Sequence, residues 1–265
     1  MKTIKNIIFI LLALPLLISS CKKEGRLDAA IEDTMENRAR IRLYNFSIGS
    51  PSANFYSNDQ KISAVLSATG AEALAGVSFG GTYPTNQYAL APVGQREIRM
   101  ITSSSLPTGG NLLTASVTHN FVDQKYYSIF TSGIYDPVTM KSDAFVVEDD
   151  FPIAMDPLNA YIRIVNPGHN TTTITMVLQK STTVNGVKTI TEELPIGTGI
   201  AYKQASAFVA IPPGAWELLV TDQGSGKTAV RASTSFLKER VYTIALRGNI
   251  VTGTPATFLD NTINK

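Results

Sequence analysis

From residue 39 onward the chain is a series of short segments in which apolar and polar residues alternate. Clusters of Gly, Pro, Asn and Ser separate these segments, which are rich in Val, Ile, Thr, Tyr and Phe. Such residue types favour strands. A period of two places successive side chains on opposite faces of a strand, so that one face can cover a core. The pattern therefore predicts an all-β sandwich or barrel.

Three sequence motifs occur twice and in the same order, with spacings of 121, 120 and 115 residues between copies. A fixed order and a nearly constant spacing indicate an internal repeat. About seven short strands per copy suit a sandwich of about 100 residues. We therefore predict two tandem β-sandwich domains, over 39–150 and 159–265, joined by a linker at 151–158. The motifs are an opening strand (39–45 and 160–166), a Pro-x-Gly turn with the strand after it (92–98 and 212–218) and a closing strand (124–129 and 239–244).

The strand period also predicts which side chains face inward. In the opening strands, Arg42 and Arg163 alternate with apolar neighbours, and we expect both to point away from the core of their own sandwich. In the closing strands, Tyr127 and Tyr242 are expected to bury their rings and to direct their hydroxyls to a backbone partner. The lone tryptophan, Trp216, alternates in phase with apolar residues, which predicts a core position.

The first twenty residues have a different character. Two lysines precede an unbroken apolar run, Ile7 to Ile18, which closes with Ile18-Ser19-Ser20-Cys21. This order is typical of a secretory signal peptide, and the run is shorter than the about 20 apolar residues that span a bilayer. Its end resembles the bacterial lipobox, in which the cysteine thiol takes a diacylglycerol before cleavage. We predict a signal peptide over 1–20 and a lipidated tether over 21–38.

The alternative is an ordinary signal peptide whose cleavage site happens to contain a cysteine. Cys21 is the only cysteine in the chain, so an exported fold would depend on its core without disulfides. Lipid chains contribute about 0.8 kcal/mol per buried methylene, enough for two or three chains to hold a folded domain on a membrane.

Charge and composition narrow the class of partner. The only charges of the leader are two lysines, so the mature chain has 21 basic and 21 acidic residues. A formally neutral chain has no basic excess that would suggest nucleic acid or anionic lipid as a partner. With 44% hydrophobic and 17% charged residues, the chain is globular in composition rather than disordered.

The repeated motifs also carry a family resemblance. The opening Ala-x-Ile-Arg-Leu/Ile-x-Asn, the central Pro-x-Gly and the terminal Lys/Arg-x-Tyr-Thr/Ser-Ile resemble a family called domain of unknown function 4397, which occurs in tandem in Bacteroidetes-type lipoproteins. The resemblance covers nearly all of residues 39–249. It implies immunoglobulin-like or transthyretin-like β-sandwiches and a binding or envelope-associated role, and it implies no reaction.

One cluster of carboxylates allows a weak calcium hypothesis. Glu148, Asp149, Asp150 and Asp156 supply hard oxygen ligands of the kind that calcium prefers. The cluster lacks the Asp-x-Asp-x-Asp-Gly spacing of a dedicated calcium loop, so solvated linker charge is the favoured interpretation. No other metal site and no cofactor is predicted.

Motifs that suggest catalysis are weak. Residues 224–228 read Gly-Ser-Gly-Lys-Thr, but Thr221 stands where a phosphate loop needs glycine, and a hairpin turn is the better interpretation. The two histidines, His119 and His169, occupy non-equivalent positions in the two copies. No Gly-x-Ser-x-Gly elbow is present. Glu192 and Glu193 are neighbours on a predicted strand and therefore point to opposite faces. We predict no catalytic residues.

Two further signals concern sugars. Asp33-Thr34-Met35 resembles the short site at which Bacteroidetes-type bacteria attach O-glycans, which makes Thr34 a glycosylation candidate. Six tyrosines are candidates for an aromatic sugar-binding platform, although core and strand-face positions are the favoured interpretation for most of them. They are Tyr83, Tyr88, Tyr126, Tyr135, Tyr161 and Tyr202.

The leading functional hypothesis is a non-enzymatic binding or assembly module, anchored by lipid to the bacterial outer membrane. The alternative is a carbohydrate-binding accessory lipoprotein of a glycan-utilisation system. Expected partners are the membrane, and a glycan or another envelope protein. The sequence leaves open the ligand, the face of the outer membrane and the oligomeric state.

Overall fold

The structure is a computed structural model, and it describes residues 37–63 and 74–265. Within these ranges the chain forms strands, turns and loops and no helix. None of the residues described is part of a helix that could cross a membrane. The predictions for the signal peptide, for Cys21 and for Thr34 lie outside the described residues.

The described residues form seventeen strands. Those of the first domain are β1 (Arg38–Asn45), β2 (Ala53–Ser57), β3 (Gln60–Lys61), β4 (Thr82–Tyr83), β5 (Ala89–Pro92), β6 (Gly94–Thr102), β7 (Leu113–Phe121), β8 (Tyr126–Asp136) and β9 (Lys141–Glu148). Those of the second domain are β10 (Ala160–Val165), β11 (Thr173–Val184), β12 (Val187–Ala201), β13 (Val209–Ile211), β14 (Gly214–Asp222), β15 (Thr228–Phe236), β16 (Val241–Arg247) and β17 (Phe258–Ile263).

Each group of strands forms two sheets. In the first domain the orders are β4-β1-β8-β9, with β5 also paired to β1, and β3-β2-β6-β7. In the second domain they are β13-β10-β16-β17 and β12-β11-β14-β15. The predicted all-β sandwich architecture is confirmed. The chain passes from β9 to β10 through residues 149–159, the stretch in which the sequence predicts a linker.

The repeat extends to strand pairing. The opening strand of each copy pairs in parallel with the closing strand of the same copy, β1 with β8 and β10 with β16. Ile41 lies opposite Tyr127, and Ile162 lies opposite Tyr242. The other paired strands run antiparallel.

Each sandwich has its own hydrophobic core. Trp216 is 1% exposed in the core of the second domain, and its Nε1 donates to the carbonyl of Pro212 at 3.1 Å. Its predicted core position is therefore confirmed.

The two closing-strand tyrosines behave alike. The hydroxyl of Tyr127 accepts a hydrogen bond from the N–H of Val122 at 3.2 Å, and that of Tyr242 accepts one from the N–H of Leu237 at 2.9 Å. Both rings are buried. The predicted pairing of a buried ring with a backbone partner is confirmed in both copies.

The two opening-strand arginines are buried, although a position on the outer face of a single sandwich would be exposed to solvent. Arg42 and Arg163 point away from their own cores but are only 0% and 2% exposed. The reason is a third apolar cluster, which lies between the outer faces of the sheets that contain β1 and β10. Its buried members are Tyr44, Phe46, Phe130 and Phe145 from the first domain and Val165 and Ala245 from the second.

Replacing either closing-strand tyrosine tests this repeated contact. We expect Tyr127→Phe and Tyr242→Phe each to lower the free energy of unfolding by about 1 kcal/mol, because a backbone N–H loses its acceptor. Tyr135→Phe is the control, since its hydroxyl donates to Sδ of the exposed Met140 side chain. Denaturant unfolding measures the effect, and losses no larger than that of the control would contradict the assignment.

Candidate functional site

The two domains meet along the apolar cluster just described, and we call this interface the seam. At its centre Arg163 of β10 forms an ion pair with Asp149, which follows β9. Both side chains are at most 2% exposed. Arg163 also donates to the carbonyl of Glu148 and to Oγ1 of Thr243, each at 3.0 Å. Two opposite charges are thus taken out of water together, and neither is tolerable there without the other.

The second carboxylate oxygen of Asp149 is also satisfied. The hydroxyl of Tyr88 donates to Oδ2 at 2.6 Å, and that of Ser128 donates to it at 2.9 Å. Nδ2 of Asn264, from the second domain, donates to the Tyr88 hydroxyl at 2.6 Å. Burial, together with the charge of Asp149, raises the pKa of Tyr88, so that its hydroxyl remains a donor.

Arg42 reaches across the seam in the opposite sense. Its Nη1 donates to the carbonyl of Ile263 in the second domain at 2.8 Å, and its Nε donates to the carbonyl of Gln87 at 3.0 Å. Its guanidinium lies over the ring of Tyr88, 4.6 Å from the centroid. The two arginines that the repeat places at equivalent positions therefore each bind the other domain.

Further contacts between the two domains involve Arg247 and the loop after β12. Arg247 of β16 lies over the rings of Phe46 and Phe79 of the first domain, at 5.6 and 4.9 Å, and pairs with Asp260 at 2.7 Å. The loop after β12 adds two contacts, because the hydroxyl of Tyr202 bonds that of Ser132 at 2.8 Å and Lys203 pairs with Asp143 at 2.5 Å. The two sandwiches consequently form one body.

A cleft of about 330 Å³ opens along the seam, and we call it the seam cleft. Val146, Glu148 and Asp150 line one side, and residues 203–208 line the other. The side chains of Asp150 and Gln204 are exposed, and Phe208 forms one wall. The lining of the cleft thus combines an aromatic ring, over which the Arg163 guanidinium lies at 4.6 Å from the centroid, with a carboxylate and an amide.

A second hollow of about 280 Å³ shares Glu148 and Asp150 with the seam cleft, and we call it the end hollow. Lys125, Tyr126, Phe151, Ile153 and Lys265 contribute to its lining. Its two lysines make different contacts. Lys125 pairs with Glu148 at 2.5 Å, a hydrogen bond that raises the pKa of Lys125, and Lys265 lies 4.7 Å from the ring centroid of Phe151.

Four aromatic rings connect the two depressions. The ring centroids are 5.0 Å apart for Tyr88 and Tyr126, 5.1 Å for Tyr126 and Phe151, and 5.4 Å for Phe151 and Phe208. These distances are those of aromatic pairs in contact. We call this group the aromatic row.

Two of the six candidate tyrosines, Tyr88 and Tyr126, are members of the aromatic row. Sequence reasoning missed Phe151 and Phe208, although Phe151 stands in the predicted linker beside the carboxylates that were singled out. The other four tyrosines are not among the row's ring contacts; they are Tyr83, Tyr135, Tyr161 and Tyr202.

The four calcium candidates have separate roles. Asp149 is held by Arg163, and Glu148 pairs with Lys125. Asp156 accepts hydrogen bonds from the N–H of Leu158 and from Nδ2 of Asn159, at 2.8 and 3.0 Å. Asp150 is exposed at the seam cleft. In 37–63 and 74–265 no three or more His, Cys, Asp or Glu side chains are grouped as a metal site, so the calcium hypothesis gains no support.

The stretch that resembles a phosphate loop is the turn between β14 and β15, as predicted. Asp222 organises it, since its carboxylate accepts from the N–H and Oγ of Ser225, at 2.8 and 2.6 Å, and from the N–H of Thr172 at 2.9 Å. Burial acts to raise the pKa of Asp222, but these hydrogen bonds outweigh it and lower that pKa. The turn therefore has a structural explanation.

The remaining candidate residues, the two histidines and the Glu192–Glu193 pair, lie on separate elements and do not form a common site. His119 lies on β7, His169 follows β10, and burial lowers the pKa of both. Glu192 and Glu193 lie on β12, where they bond Lys180 and Gln179 respectively, each at 2.7 Å. The paired bonds on opposite faces agree with the predicted strand.

No protein-family model matches the chain, and no curated protein matches it significantly. Among solved structures it is similar to a chain from Bacteroides ovatus ATCC 8483 that carries the provisional name of cell adhesion protein. The two are 11% identical, the similarity covers 87% of this chain and 98% of that chain, and the TM-score is 0.29. A similarity this distant carries no functional information.

Removing the carboxylate at the centre of the seam tests the buried pair. We expect Asp149→Ala to lower the free energy of unfolding by about 3 to 5 kcal/mol, because Arg163 is left charged and buried. Asp59→Ala is the comparison, because it breaks an ion pair with Arg99 in which the Asp59 side chain is 98% exposed. It should lower the free energy of unfolding by at most about 1 kcal/mol. Denaturant unfolding compares the two variants, and equal losses would contradict a stabilising role for the seam.

Proposed function

We propose that this protein is a non-enzymatic binding or assembly module, anchored by lipid at Cys21 to the outer membrane of a bacterial envelope. The observation that carries the proposal is the seam cleft. It lies between two domains that buried contacts hold in a fixed relation, and exposed polar side chains line it. A preformed depression between domains is a common location for ligand sites.

The anchor part of the proposal depends on the leader. A short apolar run that ends in Ile18-Ser19-Ser20-Cys21 is what a lipoprotein requires. The non-enzymatic part is supported by the separate roles of the polar candidates, because hydrolytic chemistry needs an acid, a base or a nucleophile within hydrogen-bond reach of one another.

A second function, carbohydrate binding, is favoured by the aromatic row. Sugar rings stack their C–H faces on aromatic rings and hydrogen-bond through their hydroxyls to carboxylates and amides. Phe208 contributes a ring to the lining of the seam cleft, although the Arg163 guanidinium lies over this ring at 4.6 Å from the centroid, and Asp150 and Gln204 contribute the polar groups. This favours a carbohydrate-binding accessory lipoprotein among the binding modules considered.

The anchor is tested in cells. We expect Cys21→Ser to move the protein from the membrane fraction to the soluble fraction, because the thiol that carries the diacylglycerol is lost. Thr34→Ala is the matched control in the same stretch, and it should stay in the membrane fraction while also revealing any O-glycan by a change in mass. Mass spectrometry showing an unacylated N-terminus on the native protein would contradict the anchor.

The ligand site is tested by screening the protein against a glycan array. For any glycan that binds, we expect Phe208→Ala to weaken affinity about tenfold, the equivalent of about 1.4 kcal/mol, and Gln204→Ala to weaken it as well. Tyr135→Ala, which removes an aromatic ring from another part of the surface, should leave affinity unchanged. Absence of binding to every glycan would reject the carbohydrate hypothesis, and equal affinity of all variants would reject the seam cleft as the site.

A further inference from the structure

The described chain begins at one end of the first domain. The N–H of Arg38 donates to Oδ1 of Asp123 at 2.9 Å, and its carbonyl accepts from the N–H of Gln124 at 3.0 Å, so the turn before β8 lies beside the start of β1. The last residue of β9, Glu148, pairs with Tyr127 and is therefore at the same end. We call this the tether end, because the chain before residue 37 joins the described part here.

The second domain has its corresponding strand starts at the tether end too. Lys265, whose carbonyl accepts from the N–H of Val241 at the start of β16, lines the end hollow together with Lys125 and Tyr126 of the first domain. The N–H of Asn264 donates to the carbonyl of Val241 at the start of β16, and its side chain bonds Tyr88 of the first domain. The opening strands of the two domains therefore run in the same direction, with their starts side by side.

The most exposed aliphatic side chains are unevenly distributed between the ends. Among the described residues six large aliphatic side chains are 61% to 106% exposed: Val138, Ile153, Leu158, Val184, Val187 and Leu237. Val138 lies in the turn between β8 and β9, opposite the tether end. The other five lie at the tether end.

Three of the five lie in the linker or in a turn: Ile153 and Leu158 are linker residues, and Leu237 lies in the turn before β16. Ile153 lines the end hollow together with Lys125, in the turn beside Arg38. Leu158 precedes Asn159, whose carbonyl accepts from the N–H of Glu239 in the turn before β16. Leu237 stands in that same turn.

The other two form the tip of a protruding ribbon. Beyond the pairing of Gln179 with Glu217, strands β11 and β12 continue together, and residues 181–191 are all exposed. Asn185 and Gly186, at φ 51° and 79°, form the two-residue turn that suits a hairpin. Val184 and Val187 flank it. The ribbon points to the tether end, because β14 starts there, with Gly214 opposite Phe236 just before Leu237.

Single exposed aliphatic residues are ordinary on a protein surface. Here, however, five of the six share one end with the rings of Tyr126 and Phe151 and the amines of Lys125 and Lys265. Aliphatic tips, aromatic rings and lysines together are the composition of surfaces that lie in a membrane interface.

The length of the tether also favours docking of this end on the membrane. Cys21 precedes Arg38 by 17 residues, a length that spans at most about 60 Å. A lipid on Cys21 would therefore keep the tether end close to the bilayer, and this nearness makes several weak insertions effective together.

We propose that the tether end is a membrane-docking surface, and that its occupant is the lipid bilayer that holds the anchor. Ile153, Leu158, Leu237 and the two ribbon valines enter the interface, and the seam cleft remains open at the side. This inference rests on the proposed anchor at Cys21.

Fluorescent labels at the two ends test the docking surface. The full-length lipidated protein is placed on vesicles of phosphatidylethanolamine and phosphatidylglycerol, with an environment-sensitive fluorophore on Val187→Cys, Ile153→Cys or Val138→Cys. The chain has no cysteine other than the lipidated Cys21, so each variant carries one free thiol. Val138→Cys is the matched control, an exposed valine in a turn at the other end. We expect labels at Val187 and Ile153 to shift to the blue and to be quenched by spin-labelled lipids, and the label at Val138 to show neither change.

Flotation of the vesicles separates failure of the anchor from failure of the docking surface. Protein that floats with all three labels equally unquenched contradicts the docking surface and leaves the anchor intact. A blue shift without lipid quenching contradicts the bilayer as occupant and identifies a second copy or another protein instead. Quenching at Val187 without quenching at Ile153 contradicts a surface that includes the linker. Protein that does not float contradicts the anchor, and the docking surface falls with it.

Discussion

The structure depends on the burial of one ion pair between two domains. Arg163 and Asp149 lose their water together, and desolvating each charge costs several kcal/mol that only the other charge and their hydrogen bonds offset. Within its own sandwich each side chain is satisfied only in part, Asp149 by Tyr88 and Ser128 and Arg163 by Thr243. The pair therefore specifies one arrangement of the domains more strongly than apolar contact would, because it is satisfied only when both outer faces are in place.

The internal repeat explains how such a seam is built. Each copy opens with a strand whose outer face carries an arginine, so packing the two outer faces together brings Arg42 and Arg163 to opposite domains. Arg163 pairs with Asp149, which follows β9, and Arg42 donates to the backbone carbonyl of Ile263 at the end of β17. The seam thus turns two similar sandwiches into one body, which gives the cleft beside it a constant shape.

Much of each sandwich could be predicted from local pattern. The period of two and the turn residues indicate the strands, and repeated motifs indicate Tyr127, Tyr242 and the core position of Trp216. The seam could not be predicted from those patterns, because alternation shows only which residues leave their own core. One signal was present: Tyr44 and Phe130 occupy outer positions of β1 and β8, and large aromatic residues on an outer face indicate that something covers it. The aromatic row needs rings from both domains, so its formation depends on a packing geometry that strand periodicity does not contain.

Coupling between the domains is the central claim, and calorimetry of the full chain tests it most directly. The seam predicts a single thermal transition in which the calorimetric and van't Hoff enthalpies agree, since neither sandwich can leave the other without exposing the buried pair. Two separate transitions, each with the enthalpy of one sandwich, would contradict the account.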